Sequence, residues 1–170
     1  AARASRRRTA SMVLAWSIVA SPIGDLLLVA DEASLLRLHV RNGRYVPAVQ
    51  SDWREDSSHP VLEMARRELG AYFARELRAF SVPIAPQGTP FQQRVWQALT
   101  AIPYGATRTY TQQAQAIGQP SAVRAVGAAN GRNPISVIVP CHRVLGADGT
   151  MTGYAGGLAA KRMLLEIEAG

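Results

Sequence analysis

The sequence predicts an α/β (α+β) fold in which a small antiparallel sheet precedes a mainly helical second half. Short β-branched and apolar runs, separated by turn residues, fill residues 13 to 40. Two helix starts are marked by a proline at the first helical position, Pro60 and Pro90. Two further short helical segments, divided by Gly118, lie between residues 111 and 130.

The composition excludes several classes of protein. The chain has 170 residues and 48% hydrophobic content, which suits one globular core or two small lobes. It has one cysteine and three histidines without zinc-binding spacing, so we predict no disulfide, no metal and no cofactor. No apolar run approaches the roughly 20 residues that a membrane helix needs. Because a free thiol suits a reducing compartment, we expect a cytoplasmic protein without membrane association.

The N-terminal half is expected to form an α/β lobe. Residues 1–11 are rich in Arg and lack apolar periodicity, which predicts a disordered tail or a remnant of an expression vector. We assign residues 12–78 to the lobe. A helix is predicted from Pro60 to about Leu77. The three strands of its antiparallel meander are predicted at Val13–Ala20, Leu26–Ala30 and Leu35–Val40.

A connector and a second, mainly helical lobe follow. Residues 79–90 contain three prolines and a glycine, which is typical of a connector, and residues 91–170 form the C-terminal lobe. Its first helix has a capping box, with Thr89 as the N-cap and Gln92 three residues later. The packing face of this helix is predicted to comprise Phe91, Val95, Trp96 and Leu99.

Two short helices then predict a helix-turn-helix motif. The first spans about Thr111 to Ile117, and Ser121 is predicted to cap the second, from Ala122 to about Asn130. Such a pair can place its second helix in a DNA groove, although many helix pairs bind nothing. Small side chains with one arginine share an i, i+3, i+4, i+7 face, which favours binding without sequence preference. The candidate DNA contacts are Ser121, Arg124, Ala125, Gly127, Ala128 and Gly131.

The distribution of charge favours a polyanionic partner. The net charge is +7, and residues 77–147 contain no Asp or Glu. A long segment with a single sign of charge is typical of a nucleic-acid-binding surface, but a merely solvated basic surface is the alternative. The arginines of this segment are Arg78, Arg94, Arg108, Arg124, Arg132 and Arg143.

The single cysteine is the candidate nucleophile. The run from Ile135 to Val139 is rich in β-branched residues and predicts a short buried strand, which Pro140 would end, so that Cys141 lies in a turn. A thiol with a pKa of about 8.5 needs a base to become nucleophilic, and His142 is adjacent. A lone cysteine is often only a small buried hydrophobe. Neighbouring side chains of an extended segment also diverge, so a water or a third group would be required.

The string Pro-Cys-His-Arg-Val at residues 140–144, with Ile-Val before it and Asn133-Pro134 upstream, closely resembles the signature of the O6-alkylguanine-DNA alkyltransferases, also called methylated-DNA–protein-cysteine methyltransferases. The resemblance is clear over residues 91–168 and weaker before them. It implies an N-terminal lobe with a three-stranded sheet and a helical C-terminal lobe. It also implies direct repair of O6-alkylguanine by irreversible, single-turnover transfer of the alkyl group to Cys141.

The resemblance also implies a role for each matching residue of the reactive centre. Cys141 would attack the alkyl carbon, His142 would take the thiol proton through a water, and Glu168 would orient His142. Asn133 would brace the turn before the cysteine. Tyr110 would help to rotate the damaged nucleotide out of the duplex and to protonate the leaving base.

By the same resemblance, the second helix of the motif would enter the minor groove of double-stranded DNA, where Arg124 fills the gap left by the flipped nucleotide. The far wall of the base pocket would be formed by Val144, Tyr154, Gly156 and Gly157. Some family members hold zinc through cysteines that this sequence lacks. We expect a monomer, associated with the nucleoid when on DNA, for which cooperative assembly along DNA is a further option.

Two rival functions use the same residues. A DNA-binding regulator or non-catalytic lesion binder would use the helix pair alone, and the presence of Cys141 argues against it. A small thiol hydrolase would use Cys141 and His142, but no oxyanion-hole signature is evident. Methyl transfer from DNA to Cys141 separates these functions from repair.

Overall fold

The computed structural model describes residues 13–170, so the predicted tail at residues 1–11 lies outside the described residues. The strands are β1 (Ala15–Val19), β2 (Leu26–Ala30), β3 (Leu35–Val40), β4 (Arg54–Glu55), β5 (Arg108–Thr109) and β6 (Val144–Leu145). The helices are α1 (Pro60–Phe73), α2 (Pro90–Thr100), α3 (Tyr110–Ala116), α4 (Val123–Gly131) and α5 (Leu158–Ala169), and a 3₁₀ turn spans Cys141–Arg143. The predicted α/β fold is confirmed. Among residues 13–170, no helix has the length and apolar character needed to span a membrane.

The N-terminal sheet has four strands in the order β3-β2-β1-β4, where three were predicted. The three predicted strands pair antiparallel as a meander. The fourth strand contributes only two residues, which pair parallel to β1 through Ala15↔Arg54 and Trp16↔Glu55. Both residues of β4 are exposed. A two-residue strand of charged, exposed side chains has no apolar alternation, so the sequence pattern does not reveal it.

Helix α1 covers one side of this sheet with an apolar face. It begins at Pro60 as predicted, and the ring of His59 caps it by accepting a hydrogen bond from the Val61 amide at 3.2 Å. The helix ends at Phe73, four residues before the predicted end at Leu77. Arg75 adopts a left-handed conformation with φ 63°, which no helical residue can have. The face that packs inward consists of Val61, Leu62, Ala65, Leu69 and Tyr72.

Helix α2 begins with the predicted capping box. The Thr89 hydroxyl accepts from the Gln92 amide at 3.1 Å, and the Gln92 side-chain oxygen accepts from the Thr89 amide at 3.0 Å. Of the predicted packing face, Val95, Trp96 and Leu99 are buried and Phe91 is half-buried. Trp96 also donates its indole N–H to the Ala129 carbonyl at 2.9 Å, which fixes α2 against α4.

The helix-turn-helix pair is present, but its second helix is not capped as predicted. Helix α3 ends before Gly118, which has φ 74° and stops the helix as expected. Ser121 is not the N-cap of α4: the helix begins at Val123, with Ala122 at the cap and no side-chain capping bond. The turn extends one residue further because the Ala122 amide donates to the Gln119 carbonyl at 2.9 Å. Ser121 is therefore an exposed turn residue.

The predicted strand at Ile135–Val139 is wrong. Only Ile135 makes a bridge, to Leu38 of β3, and the chain then turns. The turn is closed by the Val139 amide, which donates to the Ile135 carbonyl at 3.0 Å, and it places Val137 at φ 71°. These β-branched side chains are almost all buried, so the apolar run correctly indicated burial. The segment is nevertheless joined to β3 by a single bridge and does not form a strand.

We predict that Thr89→Ala lowers the free energy of unfolding by about 1 kcal/mol, because it removes the capping box of α2. Urea denaturation measures this change. Thr100→Ala at the other end of the same helix is the control, since its hydroxyl only donates to the Gln97 carbonyl one turn earlier. Equal losses in the two variants would contradict the capping contribution.

Candidate active site around Cys141

Cys141 is held at the start of the 3₁₀ turn by two buried asparagines. Asn133 donates its side-chain N–H to the Val139 carbonyl at 2.8 Å and accepts from the Ile135 amide at 3.0 Å. Asn130, on α4, donates to the Cys141 carbonyl at 3.4 Å. The thiol-bearing residue is 3% exposed. The cysteine is therefore fixed against the helix-turn-helix unit and is almost closed off from solvent.

A buried carboxylate, Glu168 of α5, organises the next residues of the turn. Its Oε2 lies 2.7 Å from His142 Nε2 and accepts from the Tyr72 hydroxyl at 2.5 Å. Arg143 donates its Nε to Oε1 at 2.7 Å and a terminal nitrogen to Oε2 at 3.1 Å. Burial raises the pKa of Glu168, but the hydrogen bonds from His142, Arg143 and Tyr72 outweigh it and lower the pKa to about 2. Glu168 is therefore ionised at neutral pH.

The ionised carboxylate determines the tautomer of His142. Because Glu168 can only accept hydrogen bonds, the proton of the neutral imidazole must lie on Nε2, and Nδ1 carries the free lone pair. This Nδ1 atom is buried and has no hydrogen-bond partner among residues 13–170. Burial lowers the pKa of His142, against the opposing effect of Glu168, so the ring is neutral at pH 7. The site thus contains a neutral imidazole with an unused acceptor one residue from the thiol.

The thiol itself is protonated in the resting protein. Burial raises the pKa of Cys141 to about 11, although a hydrogen bond from Asn133 and the charge of Lys161 act in the opposite direction. Lys161, from α5, is fully buried and donates to the Val144 and Thr152 carbonyls at 2.7 and 2.8 Å. With such a pKa, Cys141 needs a base at the moment of reaction.

Two tyrosines lie near the sulfur. Burial and then the negative charge of an ionised Cys141 raise the pKa of Tyr154 well above its ordinary value. Burial likewise raises the pKa of Tyr110, to which the charge of Cys141 also contributes. The Tyr154 hydroxyl and the side-chain oxygen of Asn130 are buried and have no partner in the described part of the chain. Unpaired buried polar atoms around one thiol are suited to a polar ligand or water.

Of the other predicted pocket residues, Gly156 and Gly157 lie next to Tyr154. Gly156 has no room for a side chain, because a Cβ there would lie 2.8 Å from Val40 Cγ2 and 2.9 Å from Tyr154 Cε1. Gly157 precedes α5 with φ 95°, a conformation that favours glycine. Val144 is fully buried in β6, where it pairs with Arg108 of β5. The two glycines therefore shape the loop, and Val144 is held in the short pairing of β5 with β6.

Helix α4 presents the predicted small-residue face outward. Arg124, Ala125 and Ala128 are exposed, whereas Gly127 and Gly131 are half-buried. The opposite side packs inward through Val126 and Ala129, whereas Val123 is only half-buried. A Cβ at Gly127 would come to 3.9 Å from the ring of Tyr110. One edge of this helix face therefore lies next to Tyr110.

Three residues of the site, Tyr72, Asn130 and Lys161, were not predicted from the sequence, and Arg143 was predicted only as one of the arginines of the basic segment. Arg143 follows the Cys-His pair directly, and Lys161 is the only lysine of the chain, so both offered a signal that could have been used. Tyr72 offered none, since it is separated from Glu168 by 96 residues.

Within residues 13–170, no group of three or more His, Cys, Asp or Glu side chains could hold a metal ion.

Comparison with known proteins decides the family. The sequence model described as 6-O-methylguanine DNA methyltransferase, ribonuclease-like domain, matches residues 14–86, and the model of the DNA binding domain of the same proteins matches residues 90–170. The chain belongs to the 6-O-methylguanine DNA methyltransferase family. The family resemblance of the Pro-Cys-His-Arg-Val signature is thereby confirmed, and the chain is an enzyme of DNA repair with a DNA-binding C-terminal part.

Individual members of the family are similar over almost the whole chain. The methylated-DNA–protein-cysteine methyltransferase of Methanosarcina acetivorans is 51% identical over 153 residues, which cover 90% of this chain and 97% of that protein. The crystal structure of Mycobacterium tuberculosis O6-methylguanine methyltransferase aligns with a TM-score of 0.84 and 47% identity, covering 92% of this chain and 93% of that one. The Mycobacterium tuberculosis OGT in complex with DNA aligns equally well, covering 91% and 92%.

We predict that Glu168→Gln lowers the free energy of unfolding by about 3 kcal/mol at pH 7, because the folded state holds the pKa of this carboxyl at about 2 instead of 4.5. A depressed pKa stabilises the fold above pH 4.5, and this contribution is lost as the pH falls toward 2. The difference between the proteins, measured by urea denaturation, should therefore shrink over that range. Glu63→Gln, at an exposed carboxylate, is the control and should change stability far less.

Proposed function

We propose that this methyltransferase repairs O6-alkylated guanine in double-stranded DNA by a single, irreversible transfer of the alkyl group to Cys141. The observation that carries the proposal is the arrangement of Cys141, His142 and Glu168: a protonated buried thiol, a neutral imidazole with a free Nδ1, and an ionised carboxylate on its Nε2. This is the order of nucleophile, base and orienting group.

In the reaction, His142 Nδ1 takes the thiol proton through a bridging water, and Glu168 stabilises the imidazolium that forms. The Cys141 thiolate attacks the alkyl carbon, the bond from that carbon to guanine O6 breaks, and its electron pair stays on the base. Tyr110 assists protonation of the leaving guanine. The product is a thioether, which has no simple route back to a thiol, so each molecule acts once.

The buried thiol requires that the damaged nucleotide leave the duplex. The sulfur of a residue that is only 3% exposed cannot reach an atom inside stacked base pairs. Helix α4 enters the minor groove with its small-residue face, and Arg124 occupies the gap that the flipped nucleotide leaves. Ser121, Ala125, Gly127, Ala128 and Gly131 allow a close approach to the sugar-phosphate backbone and read almost no base edges.

The flipped base is received between the cysteine turn and the loop before α5. Tyr154 stacks on the base or bonds to it through its unpaired hydroxyl, while Gly156 and Gly157 let the backbone approach. Val144 contacts the base through its backbone, and Asn133 keeps the cysteine turn in place. We assign residues 12–78 to the N-terminal lobe, 79–90 to the connector and 91–170 to the domain that binds DNA and carries out transfer. The protein acts as a monomer, with cooperative assembly on DNA as a further possibility.

The first test is the mass of the intact protein after incubation with duplex DNA that contains O6-methylguanine. We expect one added methyl group, located on Cys141 by peptide mapping, and no more than one per molecule at any excess of DNA. Cys141→Ala should gain no mass while its affinity for the DNA is kept. An unchanged mass with tight DNA binding would indicate a lesion binder instead, and loss of both properties in Cys141→Ala would indicate a structural role for the thiol.

A second prediction concerns Arg124. Arg124→Ala should slow methyl transfer from duplex DNA by about tenfold or more, because an empty gap favours return of the nucleotide to the stack. Its reaction with the free O6-alkylguanine base should change little. Arg124→Lys keeps the positive charge and changes the side chain, so it tests whether charge alone is enough. Arg67→Ala is the control for net charge, because it removes a positive charge from the exposed side of α1. If both substrates slow equally in Arg124→Ala, the residue has no role in flipping.

A further inference from the structure

Tyr72 is a buried residue of the N-terminal half that contacts the reactive centre of the C-terminal half. It lies near the end of α1 and is 0% exposed. Its hydroxyl donates to Glu168 Oε2 at 2.5 Å, across 96 residues of sequence. Its ring is fixed by Phe73, Phe80 and Tyr104, with centroids at 5.2, 5.4 and 6.3 Å. The hydroxyl therefore has a fixed position relative to the carboxylate.

The oxygen that Tyr72 contacts is the one that faces the histidine. Glu168 Oε2 accepts from His142 Nε2, from the Tyr72 hydroxyl and from Arg143, while Oε1 accepts from Arg143 Nε. The charge on Oε2 is thus shared among three donors. A carboxylate oxygen that accepts a further strong hydrogen bond has less charge available to stabilise an imidazolium beside it.

We propose that Tyr72 is a positioning residue that sets the basicity of His142 through Glu168, so that the N-terminal lobe controls the proton acceptor of the transfer reaction. This inference rests on the role proposed above for His142. The lobe then does more than support the fold: it determines the pH range in which Cys141 has a neutral base beside it.

The charges around His142 give the sign of the effect. Glu168 from α5 favours the imidazolium, whereas Lys161 from α5 and Arg143 from the cysteine turn disfavour it. Cys141, on the same turn, is a neutral thiol in the resting state. Tyr72, from α1, acts by weakening the favourable interaction between Glu168 and the imidazolium of His142. Loss of its hydroxyl concentrates charge on Oε2 and makes His142 easier to protonate.

The test is Tyr72→Phe, which keeps the ring contacts and removes only the hydroxyl. We expect the pKa of His142 to rise by about one unit, measured from its ring resonances by NMR in a chain with three histidines. The acid limb of the single-turnover transfer rate should move upward by the same amount. That shift makes transfer at acidic pH about tenfold slower relative to the rate of the same variant above the titration.

Tyr104→Phe is the matched control. The Tyr104 hydroxyl donates at 3.2 Å to the carbonyl of Ile167, which lies on α5 next to Glu168. The variant therefore loses a comparable hydrogen bond, but not one to the carboxylate. Its His142 titration should not move. The proposal is overturned if the titration is unchanged in Tyr72→Phe, or if it shifts equally in both variants.

A second variant keeps the hydroxyl and covers the case in which Tyr72→Phe does not fold. Incorporation of 3-fluorotyrosine at position 72 makes the donor more acidic, so the pKa of His142 should fall rather than rise. A rise or no change would also overturn the proposal. The NMR titration needs no methyl transfer, so its outcome is independent of whether the protein repairs DNA, which the mass experiment decides.

Discussion

The ion pair between Glu168 and Arg143, buried at 2.7 Å, is the interaction on which the site depends. A buried carboxylate without partners would be protonated, and a protonated Glu168 would no longer require the proton of His142 to lie on Nε2. Arg143 also donates to the Ile102 carbonyl at 2.6 Å, which ties the cysteine turn to the end of α2. Arg143 therefore acts with His142 and Tyr72 to keep the carboxylate charged, and it also fixes the turn that carries the thiol.

The cysteine turn is made rigid by polar groups rather than by a sheet. Asn133 satisfies both the Val139 carbonyl and the Ile135 amide, so the backbone can leave β3 after one bridge and still have its buried groups paired. Val137, a β-branched residue at φ 71°, is held in an uncommon conformation while its side chain is buried. The tight bend brings Cys141 onto α4, where an extended strand would have carried it past the helix.

Local signals in the sequence predicted local structure well. The capping box at Thr89, the start of α1 at Pro60 and the stop at Gly118 each depend on residues within one helical turn, and all are present. The predictions at Ile135–Val139 and Ser121 were wrong because contacts with neighbouring segments of the chain, and not local propensity, determine the conformation there. Cys141 and His142 were candidates from the residues themselves, and Glu168 was assigned through the family resemblance. Tyr72 joins them only through a contact that no local pattern encodes.

Burial of the thiol fits the single, irreversible transfer that we propose for Cys141. At a pKa of about 11, Cys141 is almost entirely protonated at neutral pH and reacts slowly with stray electrophiles in solution. An exposed thiolate would react with any electrophile it met and would be consumed without repair. Because Nδ1 of His142, the proposed base, is buried one residue from the thiol, the nucleophile can be generated where a substrate has displaced solvent from the site. Burial of the thiol within this charged network therefore limits its reactions to ligands that fit the surrounding pocket.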